Sequence, residues 1–268
     1  VAAAELKDGA WQLLIQRSEK VMIDEMIDIK TADGAMATFT SRPDRDGPFT
    51  PVFILMDAPG IREELYDMGR RLAAVGYYVL VPNLYYRAGR DTTHFGPDVH
   101  EEGTEARERM RAIRTKLTVG PMMEDVGAMI EYVDGQDDSK QGPIGCHGYC
   151  MSGPFALAAA ARYPDRVKAA ASFYGTWLIS DDEESPHLNF DKVTGELYMS
   201  CAEFDKLAPL EMVAELKGYF EKSGCAGEIE IYPGVHHGFA FPARPVYDKP
   251  AAERHWERLL SLYKRRLG

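Results

Sequence analysis

With 268 residues, 45% of them hydrophobic and 27% charged, the chain has the size and balance of one globular unit with a substantial core. Its net charge of −11 argues against nucleic acid or an anionic membrane as partner, because both repel it. No stretch approaches the roughly 18 consecutive apolar residues of a bilayer span, so no membrane association is expected. Residues 1–20, carrying Trp11, Leu13, Leu14 and Ile15, are expected to form a helical extension. They lack the basic start and apolar stretch of a signal peptide, which makes the cytoplasm the expected location. Cys146, Cys150, Cys201 and Cys225 have neither CxxC spacing nor the density of a disulfide scaffold, so reduced thiols and no zinc site are expected.

Residues 21–30 and 35–41 read as two strands around Ala32-Asp33-Gly34, a hairpin turn sequence. The continuous apolar run 52–56 marks a strand covered on both faces. Leu65, Met68, Leu72 and Val75 stand at helical spacing, predicting a helix over 62–75, and 77–81 gives the next buried strand. The segment 88–103 lacks periodicity and reads as a long loop placed to cover a site as a lid. Two helices follow, one charged over 105–117 and one over 122–133 with Met122, Val126, Met129, Ile130 and Val133 on one face. The Arg and Glu alternation of the first reads as a solvated face. Further strands are expected at 144–147, 167–174, 197–201 and 228–232, with helices from 154, over 208–221 and over 249–266. This alternation predicts an α/β architecture: a mainly parallel central sheet with helices on both faces and an antiparallel hairpin at its start. No linker or repeat divides it, so residues 21–268 are expected to be one domain. Asp181-Asp-Glu-Glu184 reads as a solvated loop and not as a metal site.

The most informative segment is Gly145-Cys146-His147-Gly148-Tyr149-Cys150-Met151-Ser152-Gly153, between a buried strand and an alanine-rich helix. It places Cys150 where a tight strand-to-helix turn holds a nucleophile, with small residues, Gly148 and Ser152, two positions before and after. A free thiol is only slightly ionised at neutral pH and needs a base. His236 and His237, in Tyr232-Pro-Gly-Val-His-His-Gly-Phe239, follow the last predicted strand on a Gly-rich loop and are the candidates. His147 reads as a buried, hydrogen-bonded residue, and His94, His100, His187 and His255 as surface or loop residues. Asp205 also follows a predicted strand, and its carboxylate is the candidate to fix the tautomer of that base, with Glu203 as second choice. The order nucleophile, acid, histidine is that of α/β-hydrolases.

These residues resemble the dienelactone hydrolases of the α/β-hydrolase fold. Gly148-Tyr149-Cys150-Met151 is similar to that family's Gly-Tyr-Cys elbow, Asp205 through Pro209 to its Asp-x-x-x-Pro loop, and His237-Gly238-Phe239 to its His-x-Phe loop. Met56 to Gly60, Gly76-Tyr77-Tyr78 and Pro82 to Arg87 extend the resemblance from about residue 21 to the C-terminus. It implies that His237 is the base, and that the backbone N–H groups of Met151 and Ala58 stabilise an oxyanion. It implies that Asp57 stands where the family carries a glutamate near the cysteine, and that Arg87 contacts a substrate carboxylate. Phe241 occupies the place of a second such arginine, with either Arg244 or no residue in its stead, and Tyr85, Phe239 and Phe241 are expected to form an aromatic wall. The expected activity is hydrolysis of a carboxylic ester or lactone through an acyl-enzyme, on a small-molecule substrate, without a cofactor, over a broad substrate range. Thioester hydrolysis at the same site, and a thiol-reactive binding or sensor protein, are the alternatives. Monomer and dimer are both compatible with the sequence.

Overall fold

The structure, a computed structural model, describes residues 22–90 and 95–268; the helix expected over residues 1–20, and His94, lie outside the described residues. Eight strands form a single sheet among the described residues: β1 (Met22–Thr31), β2 (Gly34–Pro43), β3 (Thr50–Leu55), β4 (Tyr77–Pro82), β5 (Ile144–Tyr149), β6 (Val167–Phe173), β7 (Glu196–Phe204) and β8 (Ala226–His236). Their order is β1-β2-β4-β3-β5-β6-β7-β8. β1 and β2 pair antiparallel around the predicted turn, β2 pairs antiparallel with β4, and the remaining pairs are parallel. Every residue of β3, β4 and β5 is buried, as expected of strands covered on both faces; β3 and β4 are largely apolar, and β5 buries His147 as well.

The helices are α1 (Glu63–Ala74), α2 (Glu105–Arg114), α3 (Val119–Asp134), α4 (Gly153–Arg162), α5 (Leu210–Ser223) and α6 (Lys249–Leu267). From β3 the chain moves one way across the sheet to β4, then back past β3 to β5 and onward to β8. Right-handed crossovers therefore put α1 on one face and α3 and α4 on the other. α6 joins α1, where Arg71 pairs with Glu253 at 2.9 Å and lies over the Trp256 ring at 4.5 Å. The reversal makes the carboxyl ends of β3 and β5 a topological switch point, where open parallel sheets bind ligands.

Two expected boundaries move for physical reasons. β8 continues through Pro233-Gly234 to His236, because β8 is the edge strand and proline there costs no ladder hydrogen bond. The loop over 88–103 follows a short 3-10 turn at Tyr86–Ala88 and contains another at Pro97–His100. Residues 91–94 of that segment lie outside the described residues.

Candidate active site

The turn after β5 is a strained one. Cys150 has φ of 53°, a left-handed conformation that an L-residue adopts at an energetic cost of order 1–3 kcal/mol. The turn is too tight for a side chain at Gly148, where a Cβ would stand 2.1 Å from the Ser152 carbonyl oxygen. Ser152 fits because its hydroxyl turns away and donates to the Met56 carbonyl at 2.5 Å, joining this turn to the loop after β3. The Thr176 N–H donates to the Cys150 carbonyl at 3.1 Å and fixes the turn from the β6 side.

Strand register brings the other two candidates together. β7 and β8 run parallel with Phe204 opposite His236 after an irregularity near Ala202, so the next residues, Asp205 and His237, emerge side by side. Asp205 Oδ2 lies 2.7 Å from His237 Nδ1, and Asp205 Oδ1 accepts the Leu207 N–H at 2.8 Å. Successive strand residues point to opposite faces. His236 is accordingly exposed and packs on the Phe204 ring, at 5.3 Å between centroids. Glu203 points elsewhere and accepts the Gly234 N–H at 2.7 Å.

With Nδ1 held by Asp205, Nε2 is the His237 nitrogen left to interact with Cys150, and it is buried. Burial alone lowers the imidazole's pKa, but the Cys150 charge and the Asp205 hydrogen bond outweigh it and raise it to about 10. Burial raises the thiol's pKa, and the charge of His237 outweighs that, holding it below the ordinary thiol range. The two groups thus favour a thiolate–imidazolium pair. Both line a cavity of about 430 Å³ together with Ala58, Leu207, Arg244 and residues of α2.

Asp57 is buried under this cavity, with Arg62 at 2.6 Å from Oδ1 and 3.2 Å from Oδ2 and Arg244 also on Oδ2. Burial raises its pKa, and the charges of Arg62 and Arg244 outweigh burial and leave it below the ordinary carboxylate range. Both oxygens are therefore committed to arginines and not to the thiol. Phe241 lies beneath the same arginines, with guanidinium carbons 4.3 Å (Arg62) and 5.2 Å (Arg244) from its ring centroid, a cation–π arrangement.

The structure does not bring the remaining expected binding residues to the cavity wall. Phe239 and Phe241 are fully buried, and so is Tyr85, whose hydroxyl donates to the Ala58 carbonyl at 2.7 Å with Met151 Sδ 3.4 Å away. Tyr85 thus ties the loop carrying Ala58 to the turn carrying Met151 instead of forming part of an aromatic wall. Arg87 is taken up by Asp125, at 2.6 and 2.9 Å, and by Asp33 at 2.7 Å. The reason is that Asp125, buried on α3, needs a cation, and Arg87 supplies it.

Two readings of surface residues are corrected. His187 is buried with Nδ1 2.8 Å from Ser185 Oγ, and His255 is buried in α6 with Nε2 2.9 Å from the Tyr149 hydroxyl. His147 is buried as expected, 2.7 Å from the Tyr263 hydroxyl. α2 does not present its arginines wholly to solvent: Arg107, Met110, Arg111 and Arg114 line the cavity, together with His100. The signal for this was present in the sequence as arginine at positions i, i+4 and i+7 of one helix, which shares a face. Among the described residues no group of three His, Cys, Asp or Glu side chains is placed to hold a metal ion. No helix among them is long and apolar enough to cross a membrane.

A mixed, mostly parallel sheet whose nucleophile-type turn, acid and histidine follow β5, β7 and β8 defines an α/β-hydrolase. The family model "Dienelactone hydrolase family" matches residues 36–267, so the chain belongs to the dienelactone hydrolase family and is a hydrolase of that type. A relative from Methylorubrum extorquens, named "Putative carboxymethylenebutenolidase", is 25% identical over 266 residues, 98% of this chain and 88% of its own. A crystal structure from Klebsiella pneumoniae, described as "Putative Dienelactone Hydrolase", superposes with a TM-score of 0.79 at 22% identity, covering 91% of this chain and 98% of that one. The fold extends to an acylaminoacyl peptidase of Pyrococcus horikoshii, with a TM-score of 0.67 and 16% identity, covering 96% of this chain and 44% of that chain.

Proposed function

We propose that the protein hydrolyses a carboxylic ester or lactone, the carboxymethylenebutenolidase type of reaction, with Cys150 as nucleophile, His237 as acid and base, and Asp205 as the group that orients His237. The observation that carries this reading is the single cavity lined by Cys150, His237 and Ala58, with Asp205 hydrogen-bonded to the far side of the imidazole.

The Cys150 thiolate attacks the carbonyl carbon, and the N–H groups of Met151 and Ala58 receive the negative charge that develops on oxygen. As the carbon–oxygen bond to the leaving group breaks, that oxygen takes the proton from His237 and an acyl thioester remains. Acylation removes the thiolate charge that raised the His237 pKa, so the imidazole is now neutral and able to act as a base. It accepts a proton from water as the hydroxide attacks the thioester. Collapse expels the thiolate, releases the acid and regenerates the ion pair. The reaction calls on no cofactor, and free thiols in a cytoplasmic setting belong to the same reading.

The test is steady-state hydrolysis of an activated aryl ester. Wild-type protein is expected to turn over repeatedly, and Cys150→Ala to lose on the order of 10⁴–10⁶ in kcat, as deletion of a nucleophile does elsewhere. Release of one equivalent followed by arrest would mark a reactive thiol without a catalytic cycle, and near-normal turnover by Cys150→Ala would remove the assignment.

A further inference from the structure

The cavity beside Cys150 has an uneven charge distribution. His100, Arg107, Arg111, Arg114 and Arg244 line it, and no aspartate or glutamate does among the described residues. The charge of Arg244 is balanced by Asp57, which accepts from its Nη2. The α2 arginines are compensated only weakly. Arg107 reaches the exposed Glu102 at 3.5 Å and gives one hydrogen bond to the His100 carbonyl at 2.8 Å. Arg111 meets Glu108 at 3.1 Å, both side chains being largely exposed, a geometry that contributes little. Arg114 lies 4.6 Å over the Trp177 ring with no carboxylate bound to it in the described residues.

The Nε atoms of Arg107, Arg114 and Arg244 are buried and have no hydrogen-bond partner among the described residues. Native proteins satisfy nearly all such groups, so three unpartnered guanidinium N–H donors at one cavity call for an acceptor brought by a ligand. The spacing makes the arrangement systematic. Arg107, Met110, Arg111 and Arg114 occupy i, i+3, i+4 and i+7 of α2, the stripe a helix ordinarily turns inward as an apolar face. Here that stripe faces the cavity that holds the thiol.

We propose that α2 is the specificity element of this enzyme: its Arg107, Arg111 and Arg114 bind an anionic group of the substrate while the ester or lactone carbonyl lies at Cys150. The inference rests on the hydrolase reading above; an anionic substrate is what the resemblance implies, and what is added is the set of residues that select it, on α2. Anion recognition is thereby moved from Arg87, whose guanidinium is already bound by Asp125 and Asp33. Arg114 also borders a neighbouring pocket of about 310 Å³ lined by Met151, Phe155 and Trp177, which leaves space for an apolar part of the same substrate.

The experiment compares three aryl esters with the same leaving group, the neutral butyrate, the hemiglutarate and a phosphorylated hydroxybutyrate. Wild-type protein is expected to favour an anionic ester by about tenfold or more in kcat/KM, mainly through KM, in line with charge-assisted hydrogen bonds. That preference should shrink as salt is raised. Which anionic ester wins identifies the group. In Arg107→Gln/Arg114→Gln the ratio of anionic to neutral ester should fall toward one, and Arg114→Lys should keep part of it. Arg111→Gln, at an exposed position, supplies the same readout with little risk to folding. Equal kcat/KM for all three esters in the wild type would overturn the proposal while leaving the hydrolase reading intact. If no ester is turned over, that reading fails instead. Calorimetric binding of glutarate and inorganic phosphate to the wild-type protein then decides, since absence of binding, or binding unaffected by Arg107→Gln/Arg114→Gln, overturns the role of α2.

Discussion

The cavity has two walls built on different principles. On the sheet side, Cys150, Asp205 and His237 each leave the end of a strand, and their neighbours are fixed: Ser152 to Met56, Tyr85 to Ala58, Asp205 to Leu207 and His237. On the opposite side, α2 contributes long cationic side chains with unpartnered donors at Arg107 and Arg114. The first wall is pre-organised, as a reaction centre must be to stabilise developing charge without rearranging. The second is held by little within the protein, and on the proposal above its partners come from a ligand. The proposed reading makes the difference one between residues that perform chemistry and residues that select what undergoes it.

Two adjacent histidines offer the sharpest way to break the comparison. His237→Ala removes the only imidazole held by Asp205, and a loss on the order of 10³–10⁶ in kcat is expected for an activated ester. His236→Ala, on the opposite side of the strand against Phe204, should cost less than about threefold, as surface substitutions do. Equal losses would mean that the sheet wall is registered differently. The same pair gives a pH test. Because His237 holds the Cys150 pKa down, thiolate persists above that lowered value and disappears only as pH falls through it. Alkylation by iodoacetamide should therefore stay fast through neutral pH in the wild type. In His237→Ala burial and the Asp57 charge push the thiol up against the Arg244 charge alone, so alkylation should be slow at neutral pH and rise only in alkali.

Asp57 stands beneath the site, and its two partners decide what it does. Asp57→Asn leaves Arg244 as a largely buried charge without its counter-ion and Arg62 with Glu64 alone, and breaking such a buried pair costs about 3–5 kcal/mol. The expected result is a clear fall in the urea midpoint with an unchanged m-value. Unaltered stability with a displaced alkylation profile would instead place the carboxylate on the thiol, as the resemblance to dienelactone hydrolases implies for this position.

These contrasts also explain what could be read from the sequence. The buried strands were visible because runs such as 52–56 and 77–81 contain only apolar residues, and the nucleophile turn because its small residues are required locally. His237 was separable from His236 only through resemblance, since the register that divides them is set by β7, some thirty residues earlier in the chain. The acidic residues of α2 and Arg111 are exposed as expected, but the approach of Arg107 and Arg114 to the cavity went unread because charge patterning says nothing of what lies opposite a helix. Likewise, Asp125 is an ordinary acidic residue within an amphipathic helix until folding buries it beside Arg87.

Arg87 is the smallest and most discriminating case. The resemblance gives it a substrate carboxylate; the fold gives it Asp125, Asp33 and a cation–π contact 4.6 Å over the Tyr86 ring. Burial raises the pKa of Asp125, and Arg87 and Tyr86 only partly counter it. In Arg87→Leu the carboxyl is expected to rise further, so the folded form retains a proton that the unfolded form releases. Stability should then fall as pH rises above the ordinary carboxylate range, with a deficit of about 1–3 kcal/mol for a buried group deprived of its partner. The preference for an anionic over a neutral ester should change by less than about twofold, because the donors that select the anion stand on α2. A collapse of that preference in Arg87→Leu, with stability untouched, would return anion recognition to the loop after β4 and leave the arginines of α2 as solvated charges.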